Sequence, residues 1–283
     1  MKPTEKLDSA RTPDGSHLTL FRHDGDYYIM QERNIIMSSR IHRSEEDLAT
    51  LGCEALRTKG DARVLVGGLG LGYTVAAALK LLPRTATVVV AELLEPVVRW
   101  NREILGHLAG KPLDDPRVTV RIGDVARIML TDGPFDAILL DVDNGPDSFI
   151  VAGNATLYSR RGLDTLRTVL RPEGTLAIWS ATHVKDFTEL LRRAGFKPRE
   201  IACQTRDKGR MTPYIVWVAT MAAPRAARTT TDKRRLPRPA AKGGKARPSG
   251  GRPSRKPSGR AANKPSKKPS NKPPGRPPRR PKS

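Results

Sequence analysis

Val64-Leu65-Val66-Gly67-Gly68-Leu69-Gly70-Leu71-Gly72-Tyr73-Thr74 decides the reading of this chain. It joins a short apolar run to a helical pattern, Thr74 to Leu82, through a turn carrying glycines at 68, 70 and 72. Such a turn lets the backbone bend tightly and come within contact distance of a ligand, while the free N–H groups of the helix start attract polar or anionic atoms. Outward from it, apolar runs recur at Thr87 to Ala91, Val118 to Ile122, Phe135 to Leu140 and Thr175 to Trp179, each followed by a helical pattern. That alternation predicts a parallel sheet covered on both faces. Lys197 to Gln204 and Tyr214 to Ala219 then come as two strands with only a short polar loop between them, so the expected sheet has seven strands, one of them antiparallel.

Before this core, His17 to Phe21, Tyr27 to Gln31 and Asn34 to Met37 read as short strands broken at Asp24-Gly25-Asp26, a hairpin turn signal. Residues 1–43 are therefore expected to form a small N-terminal β-hairpin subdomain. Ser44, followed three residues later by Asp47, resembles a capping box, and Leu48, Leu51, Ala55 and Leu56 continue at helical spacing. A helix is expected to lead there into the main domain, residues 44–223.

Residues 224–283 are a different material. They hold 13 of the 24 prolines, and 21 Lys plus Arg against the single acid Asp232, or +20; of the total +22 this leaves +2 for residues 1–223. With no aromatic residue and Leu236 as the one large aliphatic, the segment has no apolar area to offset its backbone entropy. It is expected to be a disordered polycationic tail that binds nucleic acid without sequence preference, by counterion release. No apolar run reaches the roughly 20 residues of a membrane span, and Met1-Lys-Pro-Thr-Glu-Lys6 lacks a signal-peptide core. Cys53 and Cys203 fall in an expected helix and strand, where small buried thiols are common, so no disulfide is expected. The expected location is cytoplasmic, or nucleoid-associated through the tail.

The chemistry concentrates at strand ends. Glu92 closes the second core strand about 20 residues beyond the glycines, where nucleotide-binding α/β folds place a carboxylate for ribose hydroxyls. Asp124, with Val125, comes after the third strand, where an acid can accept from an adenine amino group. Asp141 and Asp143 come after the fourth, at the carboxyl edge where open α/β sheets bind ligands. Each of these acids alone could be a loop or helix-cap residue. Glycines or an acid at four successive strand ends point instead to one nucleoside-shaped pocket.

The segment from Val64 to Asp141 resembles the core of the spermidine synthase family, within the Rossmann-like methyltransferase fold: "VLVGGLGLGYT" its glycine loop, "VVVAELLEPVV" its ribose strand, "VRIGDVARIM" its adenine-contacting acid and "FDAILLDVDNGP" the strand leading to its catalytic aspartate. The resemblance extends over the N-terminal strands, Leu157-Tyr158, "LRPEGTLAIWS" and the last strand pair. It implies a transferase that uses S-adenosylmethionine or decarboxylated S-adenosylmethionine as co-substrate without a metal, and a homodimer. Gly68, Gly70, Gly72, Glu92, Asp124, Val125 and Asp141 would hold the donor, and Asp141, Asp143 and Tyr158 would lie at the reacting end with a small acceptor. The ungapped match puts Leu71 where the family carries an aspartate that holds the amine of the decarboxylated donor. Methyl transfer to a small amine is therefore favoured slightly over the aminopropyl transfer of polyamine biosynthesis, with a nucleotide-sensing, nucleic-acid-tethered binding protein as a third reading.

Several residues carry a bland reading beside a sharp one. His42 is read as a solvent-facing loop residue rather than a substrate contact, and Trp179 and Trp217 as core or sheet-edge aromatics. Histidines 107 and 183 have no companions at metal-ligand spacing, so no metal site is expected.

Overall fold

The computed structural model describes residues 3–12, 15–142, 145–146, 154–207 and 209–221, without the side chains of 154, 155 and 207. The tail expected over 224–283, and Asp143, lie outside the described residues.

Four antiparallel strands come first: β1 (Glu5–Arg11), β2 (His17–His23), β3 (Asp26–Gln31) and β4 (Asn34–Ser38), paired in chain order. Asp24 and Gly25 both take positive φ, 52° and 86°, which is the two-residue hairpin turn that the Asp-Gly pair favours. The hairpin subdomain is thus a four-stranded meander. Its first strand, Glu-Lys-Leu-Asp-Ser-Ala-Arg, has no apolar alternation to announce it, because it is an edge strand with little to bury.

Helix α1 (Arg43–Cys53) leads into the main sheet, followed by β5 (Arg63–Gly67), α2 (Tyr73–Leu81), β6 (Thr87–Glu92), α3 (Glu95–Trp100), β7 (Val118–Ile122), α4 (Val125–Asp132) and β8 (Phe135–Leu140). The chain closes with α5 (Asn154–Leu157), α6 (Arg160–Val169), β9 (Leu170–Ser180), α7 (Phe187–Arg193), β10 (Phe196–Asp207) and β11 (Arg210–Met221). The expected capping box does not form at α1. His42 is its N-cap without a side-chain cap bond, and the Ser44 hydroxyl donates to Glu45 instead.

The seven-stranded sheet runs β10-β11-β9-β8-β5-β6-β7, with only β11 antiparallel to its neighbours. Its double cover is written in period-two alternation, since successive side chains of a strand face opposite sides. Val64, Val66, Val88, Val90, Ala137 and Leu139 belong to one core with residues of α1, α2 and α3. Leu65, Val89, Ile138 and Leu140 belong to a second core with residues of α4, α6 and α7. The small sheet joins the first core through Leu18, Leu20 and Ile29, and Trp100 Nε1 and Arg99 donate to Asp8 of β1 at 2.7 and 2.6 Å.

Two close approaches fix the surroundings of the β8 carboxyl end. α1 lies so near the sheet that a β-carbon on Gly52 would overlap the side chain of Leu139 on β8. At the end of that same strand, the backbone of Asp141 passes against Gly68, where a β-carbon would overlap its carbonyl oxygen; Gly68 also has φ +88°, which glycine adopts without cost.

Candidate active site

The carboxyl ends of β5, β6, β7 and β8 open into a cavity of about 620 Å³. Gly68, Gly70, Glu92, Asp124, Val125 and Asp141 all line it, so four strand ends converge as the sequence suggested. Gly72 does not line it. It is the N-cap of α2 and faces Pro112 and Asn101. Tyr158 is buried in the second core, edge-on to Phe187 with ring centroids 6.0 Å apart, and is likewise absent from the cavity wall. Its apolar neighbours on α7 and the sheet draw the ring inward, which the spacing around "LY" could not reveal.

Beside the glycine turn, Glu92 is buried and fastens that turn. Its Oε2 accepts from Leu69 N–H and its Oε1 from Leu94 N–H, each at 2.8 Å. Burial holds its carboxyl above the ordinary range despite these bonds. The N–H groups of Leu93 and Gly70 also act on this carboxylate, so four backbone donors surround it. Asp124 serves as a helix cap, Oδ1 accepting from Arg127 N–H at 3.0 Å, while its exposed carboxyl borders the cavity. Asn101 is a residue that sequence reasoning missed. It lies at the start of a π-helical turn after α3, and its Nδ2 donates to the carbonyls of Gly70 (2.7 Å) and Val97 (2.9 Å), pinning the turn from behind. Single π-turns inside helices often mark functional sites.

Just after β8, Asp141 Oδ2 accepts from the Thr74 hydroxyl at 2.7 Å, and the Asp141 N–H donates to Gly67 O at 2.8 Å. Burial first, then the nearby charge of Glu45, pushes the Asp141 carboxyl up to about 7, against the Thr74 bond, which lowers it. Glu45, in the first turn of α1, lines the cavity and is itself raised, chiefly by burial. No signal in "SRIHRSEEDLA" marked it, because a helix-opening acid is ordinary.

The remaining walls come partly from the small sheet and mix polar side chains, Gln31, Asn34 and Ser38 among them, with an apolar surface. Met37 lies over Gly70, and Ile35, Ile41, Leu93 and Val142 extend the surface. Trp179 lines the cavity as well, with its indole N–H buried and unpartnered among the described residues. It is a wall residue rather than only a core aromatic. His42 lies outside this cavity, stacked on Tyr73 at 4.3 Å. Leu71 also points away: it is buried in the first core. The expectation of methyl transfer treated Leu71 as a residue facing the donor, and that premise fails because its side chain is buried in the first core and does not line the cavity.

Among solved structures, the chain is similar to a spermidine synthase in complex with the transition-state analogue AdoDATO, at a TM-score of 0.59 and 17% identity over 76% of this chain and 72% of that one. Spermidine synthase from Thermotoga maritima is similar at a TM-score of 0.58 and 16% identity, over the same shares. The fold is spermidine-synthase-like. No family model and no curated protein matches the sequence, so the likeness is carried by the backbone. In this spermidine-synthase-like frame the lining is notable for its charge: Glu45, Glu92, Asp124 and Asp141 are present, and no Lys, Arg or His is among the described lining residues.

Proposed function

We propose that this cavity is the active site of an aminopropyltransferase taking decarboxylated S-adenosylmethionine and a small amine. The carboxylate-only wall carries the reading. A sulfonium, a free primary amine and an amine acceptor are all cationic and suit four acids, whereas the carboxylate of intact S-adenosylmethionine would meet like charge with no basic side chain among the described lining residues to neutralise it. Glu92 and Asp124 hold the adenosine, and the glycine turn presents its backbone to the donor.

Asp141 acts as base. The acceptor nitrogen attacks the propyl carbon next to sulfur, a C–N bond forms, the C–S bond breaks, and its electron pair returns to sulfur, leaving neutral methylthioadenosine. The nitrogen becomes a nucleophile by first giving a proton to Asp141, because an ammonium has no lone pair to attack with. A carboxyl poised at about 7 is matched to that transfer near neutral pH. Asp143, two positions further along the chain, is proposed to assist.

The full chain incubated with decarboxylated S-adenosylmethionine and putrescine is expected to yield methylthioadenosine and aminopropylated amine. Methylated amine from the intact donor, with no product from the decarboxylated one, would overturn the assignment. The +20 of residues 224–283 supports a second, additive role, non-specific nucleic-acid binding by the tail. Binding to a random DNA duplex should weaken steeply with salt and vanish on truncation at residue 223.

A further inference from the structure

Glu45 belongs to none of the elements that build the nucleoside site. It stands on α1, which the Gly52–Leu139 approach holds against β8, the strand that leads directly into Asp141. Two independent parts of the chain thus bring two carboxylates into the wall of one cavity, near enough for the charge of Glu45 to act on Asp141, and no basic side chain is among the described lining residues. No group of three or more Asp, Glu, His or Cys placed for a metal ion occurs among the described residues.

We propose that Glu45 is a specificity-determining residue, its carboxylate and that of Asp141 holding one ammonium group of the amine acceptor between them. This rests on the reading of the cavity as an amine transferase site. Without a cation the pair repels itself, and it relieves the repulsion by keeping a proton. An entering ammonium supplies the missing positive charge, so that carboxylic acid plus ammonium becomes a carboxylate–ammonium pair and one proton leaves to solvent. For transfer, the held ammonium first gives one proton to Asp141; the neutral amine so formed attacks with its lone pair as the C–S bond breaks, and the product leaves as a secondary ammonium. The groups facing the pair agree with this balance. Glu46 beside Glu45, and Glu92 and Asp124 along the cavity, add negative charge; the Thr74 and Ser44 hydroxyls donate to Asp141 and Glu45; and Tyr73 is neutral near pH 7, its hydroxyl held above the usual range by burial and by Glu45 and Glu46. Asp143 lies outside the described residues. The apolar walls from Met37, Ile41 and Trp179 suit the methylene chain between two nitrogens.

Calorimetric titration of the full chain with putrescine near pH 7, in two buffers of different ionisation enthalpy, tests the clamp without turnover. The natural chain is expected to release about half a proton per amine bound at pH 7, rising toward one as the pH is lowered to 6. Glu45→Gln is expected to release almost none and to bind the amine roughly tenfold or more weakly, with affinity for methylthioadenosine unchanged. Glu45→Asp keeps the charge and should recover most of the proton release. In turnover, the acid limb of the Glu45→Gln pH profile should move to lower pH, a change that lost packing alone would not produce. Unaltered amine affinity and proton release in Glu45→Gln, or equal behaviour of Glu45→Asp and Glu45→Gln, would overturn the clamp while leaving aminopropyl transfer intact. An inactive natural chain that still binds putrescine with proton release would instead remove the proposed reaction and keep the clamp.

Discussion

The Thr74 hydroxyl, from the first turn of α2, donates to Asp141 Oδ2 at 2.7 Å. This bond links the helix that starts after the glycine turn to the proposed base, and it stabilises the ionised form of a carboxyl that burial and Glu45 drive the other way. Thr74→Val removes the donor at nearly constant volume. The acid limb of the rate profile should then rise by about one pH unit, corresponding to one lost hydrogen bond to a charged group, and the rate at pH 7 should fall several-fold.

Asp141 also sets a stability gradient. A carboxyl whose folded value is raised from 3.8 to about 7 contributes stability that is complete below pH 4 and is lost as pH climbs through 7. The gap corresponds to up to about 4 kcal/mol. Asp141→Asn should therefore abolish transfer yet be more stable than the natural chain at pH 8, by about 2–4 kcal/mol, with the advantage disappearing near pH 4. Urea unfolding at the two pH values reads the difference.

Asn101 makes its two hydrogen bonds from a buried position behind the glycine turn. Asn101→Ala leaves the Gly70 carbonyl without this partner and frees the turn that faces the donor. A stability loss of about 1–3 kcal/mol is expected, with methylthioadenosine binding weakened about tenfold by calorimetry.

Gly52 offers a test of how α1 is held. Alanine usually favours a helix over glycine by roughly 1 kcal/mol. At this position the added methyl meets Leu139 and lies 3.0 Å from Ala177 Cβ, so α1 must retreat from the sheet. Gly52→Ala should destabilise by about 1–3 kcal/mol in denaturant melts, the reverse of its propensity, and should raise KM for the amine more than for the donor because Glu45 moves with its helix.

Much of the fold was legible in sequence because its signals are local. All seven strands of the main sheet lie where apolar runs were read, and the antiparallel β11 results from two strands joined without a crossover helix. The four-stranded meander was only partly visible: β2, β3 and β4 have apolar content and an Asp-Gly turn, whereas β1 is recognised by its pairing with β2 and by the Asp8–Trp100 bond. The placing of Gly68, Gly70, Glu92 and Asp124 around one cavity was likewise readable, since a strand, a glycine turn and an acid at the next strand end place groups within a few residues of known backbone geometry.

The amino-acid sequence by itself determined the alternating strands and helices, the glycine turn and the acids that come after β6, β7 and β8, because side-chain period and turn chemistry act over a few residues. Only the tertiary structure decided that Leu71 and Tyr158 face the cores, that Trp179 and Met37 face the cavity, and that Glu45 shares the cavity wall with Asp141. Those outcomes depend on how closely α1 and the small sheet pack onto strands distant in the chain. Such packing is settled by the filling of space between elements, which no short stretch of residues encodes alone.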